Sequence, residues 1–432
     1  MRRLTPIFFM GWIALAWSTV SASASEPATA LVGGTLHPVS GPSVENATLL
    51  MDQGQIVAVG TEVELPPGTR EIDLTGKHVY PGFIHSATIL GLIEVGSVAG
   101  TRDFMEIGDI NPELRAEVAW NADSQLLPVA MAGGILSAHV IPQGGVFTGT
   151  SAVMRLEGWN WQDMTVRTPV GLHVSFPSVG GGGDDSEEEQ AEAREKALAT
   201  LNDTLDDARA YGKAKTAGSA NLDMDLKLEA LQPLLAGEQT LFLHASERRQ
   251  IEQALDWAEE QGFEDVVLIA DSDARHLAGR LAEKKFPVIL DGVLDLPERQ
   301  WEPYDSAFTV AKDLHEAGVL FAIAGSGAAN ARNLPFHAAM AASFGLPKDI
   351  ALRSLTLSPA EILGVADHLG SLDPGKEATF FVANGDPLEI VTQIERVWVR
   401  GQEIAPEGNH QWRLYQKYKN RPRRDGSTTR LD

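Results

Sequence analysis

Apolar and polar positions along this chain change their rhythm twice. From about Ala30 to Thr75, short apolar runs alternate with turn residues. Ala30–Leu36 stops before Pro38, Arg70–Leu74 stops before Thr75-Gly76, and Ala47–Met51 and Gln55–Val59 flank Asp52-Gln-Gly54. This predicts strands and one tight hairpin, because such runs suit a pleated half-buried surface and Gly supplies the positive φ of the turn. No run of helical length shows an apolar face here.

From Val79 onward, apolar strands alternate with helical stretches. The stretch from Val79 reads as a strand, followed by strand candidates at Ala132–Ile141, Leu172–Phe176, Thr240–Ala245, Asp265–Ala270, Phe286–Leu290 and Gly318–Ala324. Between them, Leu198, Leu201, Leu205 and Ala208 share one helical face, as do Ile251, Ala254, Leu255 and Ala258 before Gly262. Further helices are predicted at about Asp273–Lys285 and Ser306–Ala317. Ser186 and Glu189 fit a capping box, since each side chain can satisfy the other's backbone N–H. Alternation of this kind predicts parallel β with crossover helices, and a (β/α)8 TIM-like barrel is the economical closure. An open doubly wound sheet is the alternative, but no G-x-G-x-x-G follows a strand. After Gly370 the β pattern returns, with Ala378–Ala383 and Ile394–Arg400 on either side of Asn384-Gly-Asp-Pro387.

The chain has 432 residues, 44% hydrophobic and 22% charged, enough for a sizeable core. A formal charge of −24 argues against nucleic acid and against anionic membranes as partners. The absence of cysteine rules out disulfides, thiolate metal sites and a cysteine nucleophile. At the N-terminus, Arg2 and Arg3 precede the apolar run Pro6–Trp17, and Ala22-Ser-Ala24 follows. These are the three parts of a secretory leader, with cleavage expected before Ser25. The run is too short for an ordinary membrane span, so the expectation is an exported, periplasmic or extracellular protein with no span in the mature chain.

Candidate chemistry lies at strand ends. His244 closes Leu241-Phe-Leu-His244, and Asp271 follows Val266–Ala270. His85 shares strand parity with Ala87, and His139 and His173 lie in strands of their own, so these residues are candidates to converge at one mouth. Each also has a plain reading as a hydrogen-bonded residue at a strand end. Ser326 stands between two glycines, but Gly325-Ser-Gly327 lacks the G-x-S-x-G elbow of a serine nucleophile. The turn with Gly144, Gly145 and Gly149 can approach a ligand or simply reverse the chain. His276, His315, His337 and His368 fall in helical stretches and read as surface or packing residues.

Three motifs carry a resemblance. Pro81-Gly-Phe-Ile84 is similar to the opening strand of the amidohydrolase superfamily, particularly its imidazolonepropionase-like exported members. Ser358-Pro-Ala-Glu-Ile-Leu-Gly364 resembles T-x-N-P-A-x-x-L-G, with Ser358 for Asn. Gly370-Ser-Leu-Asp-Pro-Gly-Lys376-Glu-Ala378 resembles G-S-L-x-x-G-K-x-A-D, with Thr379 for Asp. The resemblance implies a barrel plus a small β-sandwich built from both chain ends. The expected organisation is a leader at 1–24, sandwich segments at 25–78 and 371–405, a barrel at 79–370, and a polar tail at 406–432. Val57 and Val59, which share one face of their strand, are then expected in the same small sandwich as Phe381 and Val397.

The resemblance also implies hydrolysis of non-peptide C–N bonds by one or two divalent metals, usually zinc, which activate water and polarise the carbonyl. Carried over by position, the first-strand histidines fall on Ala87 and Ile89. The fifth-strand histidine falls on His244, the sixth-strand histidine near Asp271 and Ser272, and the eighth-strand aspartate on Ser326. Lys213 and Lys215 lie beyond the expected helix face and are not convincing bridging ligands. No cofactor is therefore expected, and no tightly bound metal pair. Two readings follow. One is a C–N hydrolase working through His244 and Asp271, without metal or with a site rebuilt from His85, His139, His244 and Asp271. The other is a non-catalytic protein that binds a small molecule in the barrel pocket, alone or in an oligomer with itself or a paralogue. Asp271 is expected to pair with His244 and raise its pKa.

Overall fold

The computed structural model describes residues 27–178, 186–218, 223–297, 299–325, 327–404 and 414. The expected leader at 1–24, Ser326 and, Leu414 apart, the tail at 406–432 lie outside them.

The N-terminal β region holds Thr29–Leu36 (β1), Val44–Asp52 (β2), Gln55–Gly60 (β3), Arg70–Asp73 (β4) and His78–Pro81 (β5). β1, β2 and β3 pair antiparallel, and β4 and β5 run parallel to β1. The β2–β3 turn carries positive φ at both Gln53 (48°) and Gly54 (81°), as a two-residue hairpin requires. β5 stays in this sheet. The chain then passes Gly82, where a Cβ would stand 2.8 Å from the Leu136 side chain, and starts Phe83–Thr88 (β6) in a different sheet. The single strand expected from Val79 is thus split by a glycine at the close approach to Leu136.

The alternating region continues with Ile135–Val140 (β7), Phe147–Thr150 (β8), Ala152–Arg155 (β9), Thr165–Arg167 (β10), Gly171–Ser175 (β11), Thr240–His244 (β12), Val266–Ala270 (β13), Val288–Leu290 (β14) and Phe321–Ile323 (β15). β6 and β7 run parallel, as do β11 to β15 in order. β8 and β9, separated only by Ser151, run antiparallel to β11 and β7 respectively and connect the two sheets. At the far edges, Ser86 Oγ of β6 donates to the Ile323 carbonyl of β15 at 3.0 Å. The arrangement is barrel-like α/β with mixed sheets.

Strand alternation sorts the side chains into two layers. Phe83, Ala138, Leu172, Leu241, Leu243 and Leu268 pack with helix residues such as Leu205, Ile251 and Leu314. Their neighbours Ile84, Val153, Phe242, Val267, Ile289 and Ala322 form a separate inner cluster. The helices Glu187–Thr216, Arg248–Gln261 and Ser306–Glu316 supply the outer layer. Ser186 and Glu189 make both bonds of the expected capping box, and Gly262 at φ 82° ends the second helix. The helix expected at 273–285 begins instead as a 3₁₀ turn, Ser272–Leu277, before Ala278–Lys284.

Phe380–Ala383 (β16), Ile394–Val399 (β17) and Gln402–Glu403 (β18) complete the first sheet, because β16 pairs antiparallel with β5. Both chain ends therefore share one eight-stranded sheet. Val57 and Val59 of β3 share this sheet with Phe381 of β16 and Val397 of β17, but the four side chains do not share one face. Val59 packs on the face that holds Phe380, Val382 and Trp398, whereas Phe381 and Val397 face the main core and Val57 is exposed. The register between strands so distant in sequence is set by pairing with β5, and a one-residue change exchanges the two faces.

Candidate active site at the strand ends

Three histidines from β7, β11 and β12 gather around Phe242 of the inner cluster. His139 and His173 have ring centroids 5.2 and 4.6 Å from Phe242, and His173 lies flat on it at 6°. His139 Nδ1 is 2.7 Å from the Ser86 carbonyl, so that nitrogen donates. Its Nε2 then accepts from Ser151 Oγ at 2.8 Å. His173 Nδ1 and His244 Nε2 are 2.8 Å apart, so one carries a proton and the other a lone pair. His173 Nε2 is buried without a partner. Burial pushes His139 and His244 down to about 4. Burial, then His244 and His139, holds His173 well below its usual value.

These contacts correct two expectations. The ring partner of His244 is His173, and its pKa falls through desolvation where a rise through Asp271 was expected. His85 does not join the histidines around Phe242. It is buried near His337 of the helix Leu334–Ser343, the Gly325 backbone and, with a weaker effect, His139. Desolvation first, then His337, lowers its pKa to about 3. The parity argument failed because the pairing of β6 with β7 shifts register between His85 and Thr88, and such an irregularity re-aims side chains.

A small acidic cleft lies at the C-terminal ends of β12, β13 and β14. Ser246, Asp271, Asp273, Gly292, Asp295 and Arg299 line it. Asp271 is the first residue after β13, and Asp291 holds the same place after β14. Asp291 is raised to about 6, chiefly by burial, then by Asp271 and Asp295, against a stabilising bond from the Gly292 N–H at 2.9 Å. On the rim, Arg299 reaches Asp273 at 2.9 Å and Glu302 at 2.8 Å. Asp291 was missed in the sequence, although an aspartate directly after the apolar Val288-Ile-Leu290 repeats the pattern that singled out Asp271.

Two of the positions that the resemblance gives to metal ligands carry apolar side chains. Ala87 sits in the inner apolar cluster and Ile89 packs against the main core. His244 Nε2 is committed to His173. Among the described residues, no group of three or more His, Cys, Asp or Glu side chains is placed to hold a metal ion. Lys213 and Lys215 fall in the last turn of the helix Glu187–Thr216.

Comparison with known proteins bears on the fold and the family. The model of the Amidohydrolase family matches residues 243–404. Amidohydrolase tasK of Hapsidospora irregularis is 23% identical over 85% of this chain, which spans 42% of that relative's length. An amidohydrolase from Thermotoga maritima MSB8 superposes with a TM-score of 0.78 at 26% identity, covering 87% of this chain and 99% of that one. Molinate hydrolase has a TM-score of 0.53 at 16% identity, covering 90% of this chain and 96% of its own, and is similar in fold alone. The family match and the Thermotoga structure support a place in the amidohydrolase superfamily with a TIM-barrel-like α/β fold.

Proposed function

We propose that this chain is an amidohydrolase-type hydrolase of non-peptide C–N bonds in which strand-end carboxylates, Asp271 and Asp291, take the acid–base work. The observation that carries the reading is the place of Asp291. It is a half-buried carboxyl at a strand end, beside a second carboxylate, with its pKa raised to about 6. Like charges held close in a poorly solvated site retain a proton between them, which suits one carboxyl as acid and its neighbour as base. In the proposed reaction Asp271 takes a proton as water attacks the carbonyl carbon. The C–N bond then breaks, and the departing nitrogen takes the proton of Asp291. His244, kept neutral by burial and oriented by His173, offers an uncharged imidazole to the substrate.

The test is a panel of amides and cyclic amides, assayed after exhaustive chelation. Turnover is expected to survive chelation and to fall by about 100-fold or more in Asp291→Asn. Turnover that vanishes on chelation, or is unchanged in Asp291→Asn, sinks the reading.

The apolar filling at Ala87 favours a second reading, a binding protein that keeps the pocket and has lost the reaction. Saturable small-molecule binding with no turnover anywhere in the panel supports it. We also propose export, with the first residue of the exported protein at Ser25. N-terminal sequencing that finds Met1 refutes that cleavage. No helix of the described residues is long and apolar enough to cross a membrane.

A further inference from the structure

A second group of metal-binding side chains stands in the terminal sheet, where β16, β5 and β1 are neighbours in that order. His37 follows β1, His78 opens β5, and Asp386 follows β16. The register sets His78 opposite Thr35 of β1 on one side and Ala383 of β16 on the other. β5 leads through Gly82 into the start of β6, whereas Asp271 and Asp291 follow the C-terminal ends of their strands. Nothing in the reaction proposed for those two carboxyls uses this group.

We infer that His37, His78 and Asp386 form a binding site for zinc or another divalent cation that accepts imidazole. His37 Nε2 and His78 Nδ1 face each other at 3.0 Å. Two neutral rings this close hold one proton between two lone pairs, and a metal ion can take its place. Tetrahedral zinc, with Zn–N bonds of about 2.0–2.1 Å, spaces two ring nitrogens about 3.3 Å apart, so the rings need to part by only about 0.3 Å. The other nitrogen of His37, Nδ1, is 2.8 Å from Ser43 Oγ. Such an outer contact fixes the tautomer and direction of a ligating imidazole. The His37 ring also lies flat on Tyr80, with 4.2 Å between centroids and 5° between planes. Burial first, then His78, pushes His37 down to about 4, so at neutral pH it has no charge to lose before it binds a metal.

Asp386 supplies the negative charge. It works against the lowering of His37, and after burial it is the second cause that pushes the Tyr80 hydroxyl up, so its carboxylate lies close to both rings. One of its oxygens accepts from the Leu388 N–H at 2.9 Å and the other from Lys348 Nζ at 3.2 Å. The three donors therefore converge only when the contact with Lys348 opens. That contact is a surface ion pair, which contributes little, and Lys348 keeps Glu389 at 3.1 Å when Asp386 turns away. Three protein ligands and one water then complete a tetrahedral set. A metal held here joins β1 and β5 to β16, strands from the two ends of the chain, and should stabilise the sheet they share.

The probe is Zn²⁺ alone, titrated by calorimetry into the intact, chelator-treated protein at neutral pH. Mg²⁺, which prefers oxygen ligands, is the control for general attraction to an acidic surface. A zinc site with no matching Mg²⁺ site is expected, together with a rise in the urea midpoint when zinc is added. His78→Asn and Asp386→Asn should each raise the zinc Kd at least about tenfold and abolish that rise. Both variants should fold, because His78 is half-buried and an amide at position 386 still offers an oxygen to the Leu388 N–H. No zinc binding, a Mg²⁺ site of equal strength, or a zinc Kd unchanged in either variant overturns the inference.

Discussion

His173 and His139 lie side by side on the inner face, yet they should respond oppositely to truncation. His139 spends both nitrogens, one on the Ser86 carbonyl and one on Ser151 Oγ. His139→Leu leaves the buried Ser86 carbonyl without this donor and Ser151 Oγ with only its 3.5 Å bond to the Gly171 carbonyl, and should cost about 2 kcal/mol, measured by urea unfolding. His173 spends one nitrogen on His244 and buries the other unpaired. His173→Leu removes that unpaired atom, and the half-buried His244 can turn to water. The expected change is within about 1 kcal/mol of zero. A loss as large as that of His139→Leu would contradict the assignment of His173 Nε2 as unpartnered.

At the scale of elements, several ion pairs cross the seam between the barrel-like region and the terminal sheet, among them Arg400 with Asp163 and Lys348 with Asp386, and the most buried of these joins Arg155 to Glu377. Arg155 ends β9, and Glu377 precedes β16. Arg155 Nε meets Glu377 Oε2 at 3.0 Å, a second contact joins Nη2 to Oε1, and the side chains are 10% and 14% exposed. A pair this buried is costly to break from one side, because the remaining charge has no water to turn to. Glu377→Ala should lose about 3 kcal/mol in urea unfolding, while the double replacement by Met and Leu should recover most of it. Equal losses in both would mean that packing, and not charge, sets the cost. The same seam shows what the residues disclosed in advance. The parallel strands were legible because each is a short apolar run buried on both faces. The β2–β3 turn was legible because Gly54 answers a geometric need. The segment β8–β9 was not, since Phe147-Thr-Gly-Thr-Ser151 reads as polar and glycine-rich, yet all five residues are buried. Gly149 allows the approach there, as a Cβ would fall 2.9 Å from the Leu114 carbonyl oxygen. In the site, His244 and Asp271 were legible as polar residues ending apolar strands. His85 was misplaced because sequence does not show a register shift, and Asp291 was passed over because the resemblance attaches no role to its position.

Across the whole molecule, acid should be the condition that unfolds this protein, for a reason separate from its net charge of −24. His37, His139, His244 and His337 are lowered to about 4 and His85 to about 3, in each case first by burial, and burial also holds His173 well below its usual value. In the unfolded chain each returns to 6.5. Between pH 6.5 and 4 the unfolded state therefore binds more protons than the folded one, and stability rises with pH across that window. Asp291 opposes this. Its pKa rises from 3.8 to about 6, so over that interval the folded state holds the extra proton and stability falls as pH rises. Burial raises Glu157 and Asp295 as well, so three carboxyls are set against six imidazoles, and the histidines decide the sign. Urea unfolding at steps from pH 7 to pH 4 should show a steady loss of stability on acidification, beginning near pH 6.5, with protons taken up on unfolding at pH 5. His139→Leu should flatten the slope through that window even though it lowers stability at pH 7. A stability that is level from pH 7 to pH 4.5 would mean that these rings are charged or solvated in the folded protein, and the inner cluster around Phe242 would have to be redrawn as a wet site.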